Sequence, residues 1–163
     1  MGTGKTTIGR RLAGRLGRPF IDTDAAIEEI TGKTIPQIFA RDGVIRFRSE
    51  EALLVKKLAC REGLVIATGG GVVLNPENVR LLKENGVLIA FTAEPEVICQ
   101  RVKNLKDRPL LGKGDQREAI DRLLKERDGV YDIAAHTINT GCCSQEQAVD
   151  EIIRFLNQEG LLT

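Results

Sequence analysis

Met1-Gly2-Thr3-Gly4-Lys5-Thr6-Thr7 runs directly into Ile8-Gly9-Arg10-Arg11-Leu12-Ala13-Gly14-Arg15-Leu16. The first seven residues read as the second half of a phosphate-binding loop. A full G-x-x-x-x-G-K-[ST] loop ending at Gly4-Lys5-Thr6 would open two residues before Met1. Glycines at 2 and 4 permit backbone conformations that turn successive N–H groups around an anion. Lys5 suits the β- and γ-phosphates of a nucleotide, the Thr6 hydroxyl suits Mg²⁺, and Thr3 and Thr7 complete the candidate nucleotide-binding run. Apolar residues at 8, 12 and 16 mark one face of a helix, whose N-terminus would aim positive partial charge at the phosphates.

A chain of 163 residues is most simply one domain, spanning 1–163, with a real core. Its 24 basic and 23 acidic residues leave a net charge of +1, which gives no reason to propose nucleic acid or a membrane surface as partner. No apolar run approaches the roughly 20 residues of a membrane helix, and no signal-peptide hydrophobic region is apparent, so a cytoplasmic protein is expected. Cys60, Cys99, Cys142 and Cys143 have no C-x-x-C spacing and read as reduced thiols. His136, the one histidine, reads as a surface or packing residue.

Beyond the first helix, Arg18-Pro19-Phe20-Ile21-Asp22 is a short apolar strand ending on a carboxylate. Ligands of parallel α/β sheets gather at such strand ends, so Asp22-Thr23-Asp24 falls where chemistry is expected. Asp24 also precedes the helical run 25–30 and would serve as its cap. Gly32 closes that helix, 35–40 starts another containing Phe39, and Asp42-Gly43 marks a turn. A long helical pattern follows from 44 to 60, with Phe47, Leu53, Leu54 and Leu58 among its apolar positions. Arg46 and Arg48 lie in its first turns, where the helix dipole disfavours cations.

Residues 64–68 form a continuous apolar strand that runs into Gly69-Gly70-Gly71. Three glycines cost backbone entropy, which points to close approach between backbone and ligand. Asn75-Pro76-Glu77 opens a helix, 87–91 is the next buried strand, and 94–104 is a helix carrying Arg101. Residues 105–116 are basic, glycine-bearing and aperiodic. That is lid composition, with Arg108 as the charge to be delivered onto a transferring phosphate. Residues 117–131 read as a helix with Ile120, Leu123 and Leu124 inward and Arg127 late in it. A strand at 137–140 and a Ser144–Gln147 capping box before the last helix complete the chain. Strands and helices alternate, which predicts an α/β fold: a parallel sheet covered by helices on both faces.

Taken together, Gly2-Thr3-Gly4-Lys5-Thr6-Thr7, Phe20-Ile21-Asp22-Thr23-Asp24, Phe47-Arg48, Ala67-Thr68-Gly69-Gly70-Gly71, Arg108-Pro109-Leu110-Leu111 and Arg127 with Tyr131 after it resemble the shikimate kinases. These belong to the nucleoside-monophosphate-kinase-like P-loop fold. The resemblance covers residues 1 to about 131, in the family's order and approximate spacing. It implies transfer of the γ-phosphate of ATP to the 3-hydroxyl of shikimate, on the route to chorismate and the aromatic amino acids. By that resemblance Asp24 would hydrogen-bond the accepting hydroxyl and take its proton, and Asp22 would help Thr6 hold Mg²⁺. Arg48 and Arg127 would grip the substrate carboxylate, with backbone N–H groups from Gly69, Gly70 and Gly71. Phe39 and Phe47 would wall that pocket within substrate-binding helices at about 24–60. Arg108 would meet the phosphates from the lid, Arg101 would lie along the adenine, and the enzyme would act as a monomer.

Two departures from the family pattern stand out. Gly141-Cys142-Cys143-Ser144 lacks the basic residue that some relatives carry in the adenine loop. The strand expected before the phosphate loop is absent, which would leave two buried sheet edges facing each other. Met1 falls where the family's loop often has an internal methionine, so the natural chain is expected to begin earlier. A sugar-acid or nucleotide kinase on the same fold, or a non-catalytic fragment, would also account for an anion-holding acceptor site.

Overall fold

The computed structural model describes residues 2–102 and 116–162. Arg108 and the rest of the expected lid up to residue 115 lie outside the described residues. Helix α1 (Lys5–Leu16) opens directly after the glycine loop. Both its ends are set by glycine in the left-handed region, Gly4 at φ 88° and Gly17 at φ 63°, where a side chain would strain the backbone. In order follow β1 (Phe20–Asp22), α2 (Thr23–Thr31), α3 (Ile35–Arg41), α4 (Gly43–Ala59), β2 (Val65–Ala67), a 3₁₀ turn (Val72–Leu74) and α5 (Pro76–Glu84). The described chain continues with β3 (Ile89–Thr92), α6 (Pro95–Val102), α7 (Gln116–Glu126), β4 (His136–Asn139) and α8 (Gln145–Gln158).

Local chemistry places these boundaries. The Asn75 side chain accepts from the Glu77 N–H, with Pro76 at the first helical position, and opens α5. Ser144 and Gln147 form the expected capping box of α8. Thr34 and Gln37 form a second box, opening α3, which the sequence reading did not pick out. Each such cap satisfies N–H groups that the helix itself cannot.

Both strand pairs are parallel. Ile21 lies opposite Ile66 in one and Phe91 opposite Ile138 in the other. Among the described residues no ladder joins β2 to β3, so the sheet stands as two halves, in keeping with the expected gap at its centre. A cavity of about 380 Å³ occupies this seam, with Thr68 and Gly70 on one side and Ile89, Ala90 and Phe91 on the other.

Helices cover both halves. α1 and α8 bury Ile8, Leu12, Val149 and Ile152 against Val65, Ile89 and Phe91. α2, α3 and α4 enclose Ile27, Ile38, Leu54 and Leu58 against Ile21 and Ile66. The 3.6-residue spacing of these positions supplies the apolar stripes. α1 touches β1, β2 and α8, and so bridges the seam.

The structure corrects several local expectations. α7 ends at Glu126, and Arg127 lies in the turns beyond it, where Gly129 adopts φ 70°. The Asp128-Gly129 pair stops the helix that periodicity would have carried on. Leu124 is not inward but 37% exposed, and Leu53, one of the apolar positions of α4, is 57% exposed. His136 packs as expected, stacked on Phe155 with its Nε2 2.8 Å from Glu151.

Candidate active site

The phosphate end is built on the N-terminus of α1. No side chain caps this helix, and the left-handed Gly4 precedes it, which gives the helix start the form of an anion-binding N-terminus. Gly2 is also left-handed, at φ 68°, and a Cβ there would lie 3.0 Å from Val102. The loop is tied down from the other half-sheet. The Thr140 hydroxyl donates to the Thr3 carbonyl at 2.9 Å, and Arg101 donates to the carbonyls of Thr140 at 2.7 Å and Gly2 at 3.4 Å. The Arg101 guanidinium therefore serves as a brace of the loop, whatever its exposed face meets.

Thr6 Oγ1 donates to Asp22 Oδ2 at 2.7 Å. The other oxygen of Asp22 accepts from the N–H groups of Asp24 at 3.0 Å and Ala25 at 3.3 Å. So Asp22, rather than Asp24, caps α2. Asp24 is released from that task and sits in the first turn of the helix, against the glycine run.

Gly69 and Gly71 are needed for room, since neither has a positive φ. A Cβ on Gly69 would lie 2.7 Å from Asp24 Oδ1 and 3.2 Å from Glu51 Oε1, and one on Gly71 would lie 2.6 Å from the Arg48 Cζ. The close approach is thus to the site's own side chains. The Gly69 N–H is already donated to Thr23 Oγ1 at 3.0 Å, which removes it from the expected ligand donors. Tyr131 donates its hydroxyl to the Gly70 carbonyl at 2.8 Å, and Arg127 reaches that hydroxyl at 3.4 Å. Residues 24, 48, 69–71 and 127 therefore converge at the end of β2, and Lys5 shares the adjoining cavity wall with Gly70 and Arg127. Phe47 lies 5.0 Å from Phe39, ring to ring, but it is core, 5% exposed. Phe39 is the half-buried member of the pair.

Glu51 is the residue that sequence reasoning missed. It is 1% exposed, and its Oε2 accepts from Arg48 at 2.7 Å, while Oε1 has no hydrogen-bond partner among the described residues. Its signal was the i,i+3 spacing from Arg48 on a helix face otherwise occupied by Leu54, Val55 and Leu58. Burial pushes the Glu51 carboxyl above the ordinary range, and the bond and charge of Arg48 offset that only in part.

A carboxyl raised on folding favours the native state below its unfolded pKa, and that advantage is lost as pH rises through the folded value. Glu51→Gln should therefore gain in melting temperature relative to the parent as pH rises above about 4.5, with no relative change at lower pH. Parallel melts across this range provide the check. A difference independent of pH would contradict the assignment.

A lysine- and threonine-bearing helix start beside a carboxylate pair, facing an arginine-lined anion pocket across parallel strand ends, defines a P-loop kinase of small molecules. The family model described as shikimate kinase matches residues 1–157. A shikimate kinase of Pelotomaculum thermopropionicum is 72% identical over 162 residues, covering 99% of this chain and 94% of the relative. One from Desulforudis audaxviator is 56% identical, over 99% of this chain and 85% of its own. The solved structure of shikimate kinase from Acinetobacter baumannii in complex with shikimate superposes with a TM-score of 0.93 at 39% identity, over 99% of this chain and 90% of that one. The chain belongs to the shikimate kinase family.

Proposed function

We propose that this chain transfers the γ-phosphate of ATP to the 3-hydroxyl of shikimate. The observation that carries the reading is the meeting of Asp24, Glu51-held Arg48, the 69–71 backbone and Arg127 around one space at the end of β2, beside the phosphate end of α1. Arg48 and Arg127 grip the carboxylate of the acceptor, where a planar fork outdoes an ammonium. The Gly70 N–H joins them. Asp24 accepts the hydrogen of the 3-hydroxyl and takes its proton as the new O–P bond forms and the β–γ bridging P–O bond of ATP breaks. Lys5 and the α1 N-terminus hold the phosphates, and Arg108 adds charge to the transferring group. Phosphoryl transfer asks chiefly for such positioning and neutralisation.

Thr6 and Asp22 fit Mg²⁺. They present hard oxygens 2.7 Å apart, and this ion uses few protein ligands, completing its shell with water and phosphate. When bound, Mg²⁺ neutralises charge on the β- and γ-phosphates. Among the described residues no helix is long and apolar enough to cross a membrane. We take the enzyme to be a cytoplasmic monomer, which sedimentation would check.

A coupled assay of ADP release with shikimate, gluconate and nucleoside monophosphates tests the assignment. Turnover is expected with shikimate only. Turnover of either rival acceptor without shikimate would replace the reading.

A further inference from the structure

We infer that Tyr131 is a positioning residue that binds the two halves of the acceptor-carboxylate site together through one hydroxyl. This rests on the shikimate reading above. Tyr131 lies in the α7–β4 connection, beyond the end of α7, and its hydroxyl reaches 2.8 Å to the carbonyl of Gly70, in the loop after β2. The same oxygen accepts from Arg127 Nη1 at 3.4 Å. A hydroxyl has one hydrogen to give and lone pairs to receive, and both capacities are used.

Each bond constrains a different ligand-holding group. Fixing the Gly70 carbonyl sets the plane of the 70–71 peptide, because that unit is rigid. The direction of the Gly71 N–H is set with it, and Gly71 is the residue packed against the Arg48 guanidinium. The bond from Arg127 draws a long, entropically costly side chain toward the loop it must work with, before any ligand arrives. Without the hydroxyl, Arg127 would depend on the turns after α7 alone to find the carboxylate. The geometry makes Tyr131 a spacer between arginine and peptide, bonded to two groups of the acceptor side. Its loss should therefore appear in acceptor binding and not in the chemical step.

The chain has one tyrosine and no tryptophan, so tyrosine absorption and emission of the intact protein report Tyr131 alone. Saturating shikimate should shift that spectrum, as Arg127 exchanges part of its bond for the ligand. An unchanged spectrum at saturation would overturn the inference. In steady-state kinetics Tyr131→Phe should raise the shikimate KM about five- to tenfold, the loss of roughly one hydrogen bond. The ATP KM and kcat should stay within about twofold of the parent.

Combined with Arg127→Ala, the tyrosine substitution should cost less than it does alone, because the shared bond is already gone. Fully multiplicative effects, or an unaltered shikimate KM in Tyr131→Phe, would refute the link. The spectral arm needs no variant and so stands even if Tyr131→Phe folds poorly. If the parent enzyme does not turn over shikimate, the functional reading and this inference fall together. Normal parent turnover with an indifferent Tyr131→Phe removes the inference only.

Discussion

Asp24→Asn is expected to lower kcat with shikimate by about 10²–10⁴-fold, the usual range for a removed general base, with ATP binding close to that of the parent. The substitution isolates chemistry from architecture. Asp22, not Asp24, caps α2, so helix initiation survives. Asparagine keeps the volume that Gly69 leaves open at 2.7 Å, so the glycine loop need not move. What changes is the capacity to accept a proton from the 3-hydroxyl, since an amide oxygen can receive a hydrogen bond but does not hold the proton at neutral pH. The check is kcat and both KM values, with a melting curve to confirm folding. A kcat within a few-fold of the parent would show that Asp24 only orients the hydroxyl.

Gly71→Ala should raise the shikimate KM by about 10- to 100-fold, the cost of losing one charge-assisted contact. Gly71 has φ −103°, which alanine adopts without strain, so the backbone is not the target. A new Cβ would lie 2.6 Å from the Arg48 Cζ, well inside contact distance, and the guanidinium must retreat. It retreats from a position fixed by Glu51 Oε2 at 2.7 Å, so it cannot simply resettle in the same pocket. The ATP KM should be unaffected, because residues 2–7 and Asp22 are untouched. Kinetics with each substrate varied in turn would decide, and an unchanged shikimate KM would mean that Arg48 does not meet the acceptor.

The alternation of apolar strands and capped helices made the fold readable, and so did the punctuation at Gly32, Asn75-Pro76 and Ser144. Candidate site residues that sit at strand ends or inside a motif, such as Lys5, Thr6, Asp22, Asp24 and Gly69 to Gly71, could be picked out for the same reason. Their partners were not. Glu51 looks like any surface glutamate until the helix face on which it lies is known to be covered by β2 and the glycine loop. Tyr131 is 61 residues from Gly70, and no local pattern encodes that bond. The reason for the glycine run was also hidden. Composition says that something comes close, and only coordinates show that it is Asp24, Glu51 and Arg48. The end of α7 was misjudged because its periodicity persists past Asp128-Gly129, where backbone preference prevails over pattern.

The anchoring of the phosphate loop has a kinetic meaning. Residues 2 and 3 are fastened to Arg101 and Thr140, on the β3–β4 side, whereas Asp22, Asp24 and the glycine run belong to the β1–β2 side. Donor and acceptor are thus mounted on separate plates, and the attacking oxygen and the phosphorus keep their distance only as well as α1 holds those plates in register. Misalignment of about 1 Å can cost a hundredfold in rate. Widening or bracing this joint should consequently alter the rate of the transfer step while each substrate, measured singly, binds as before.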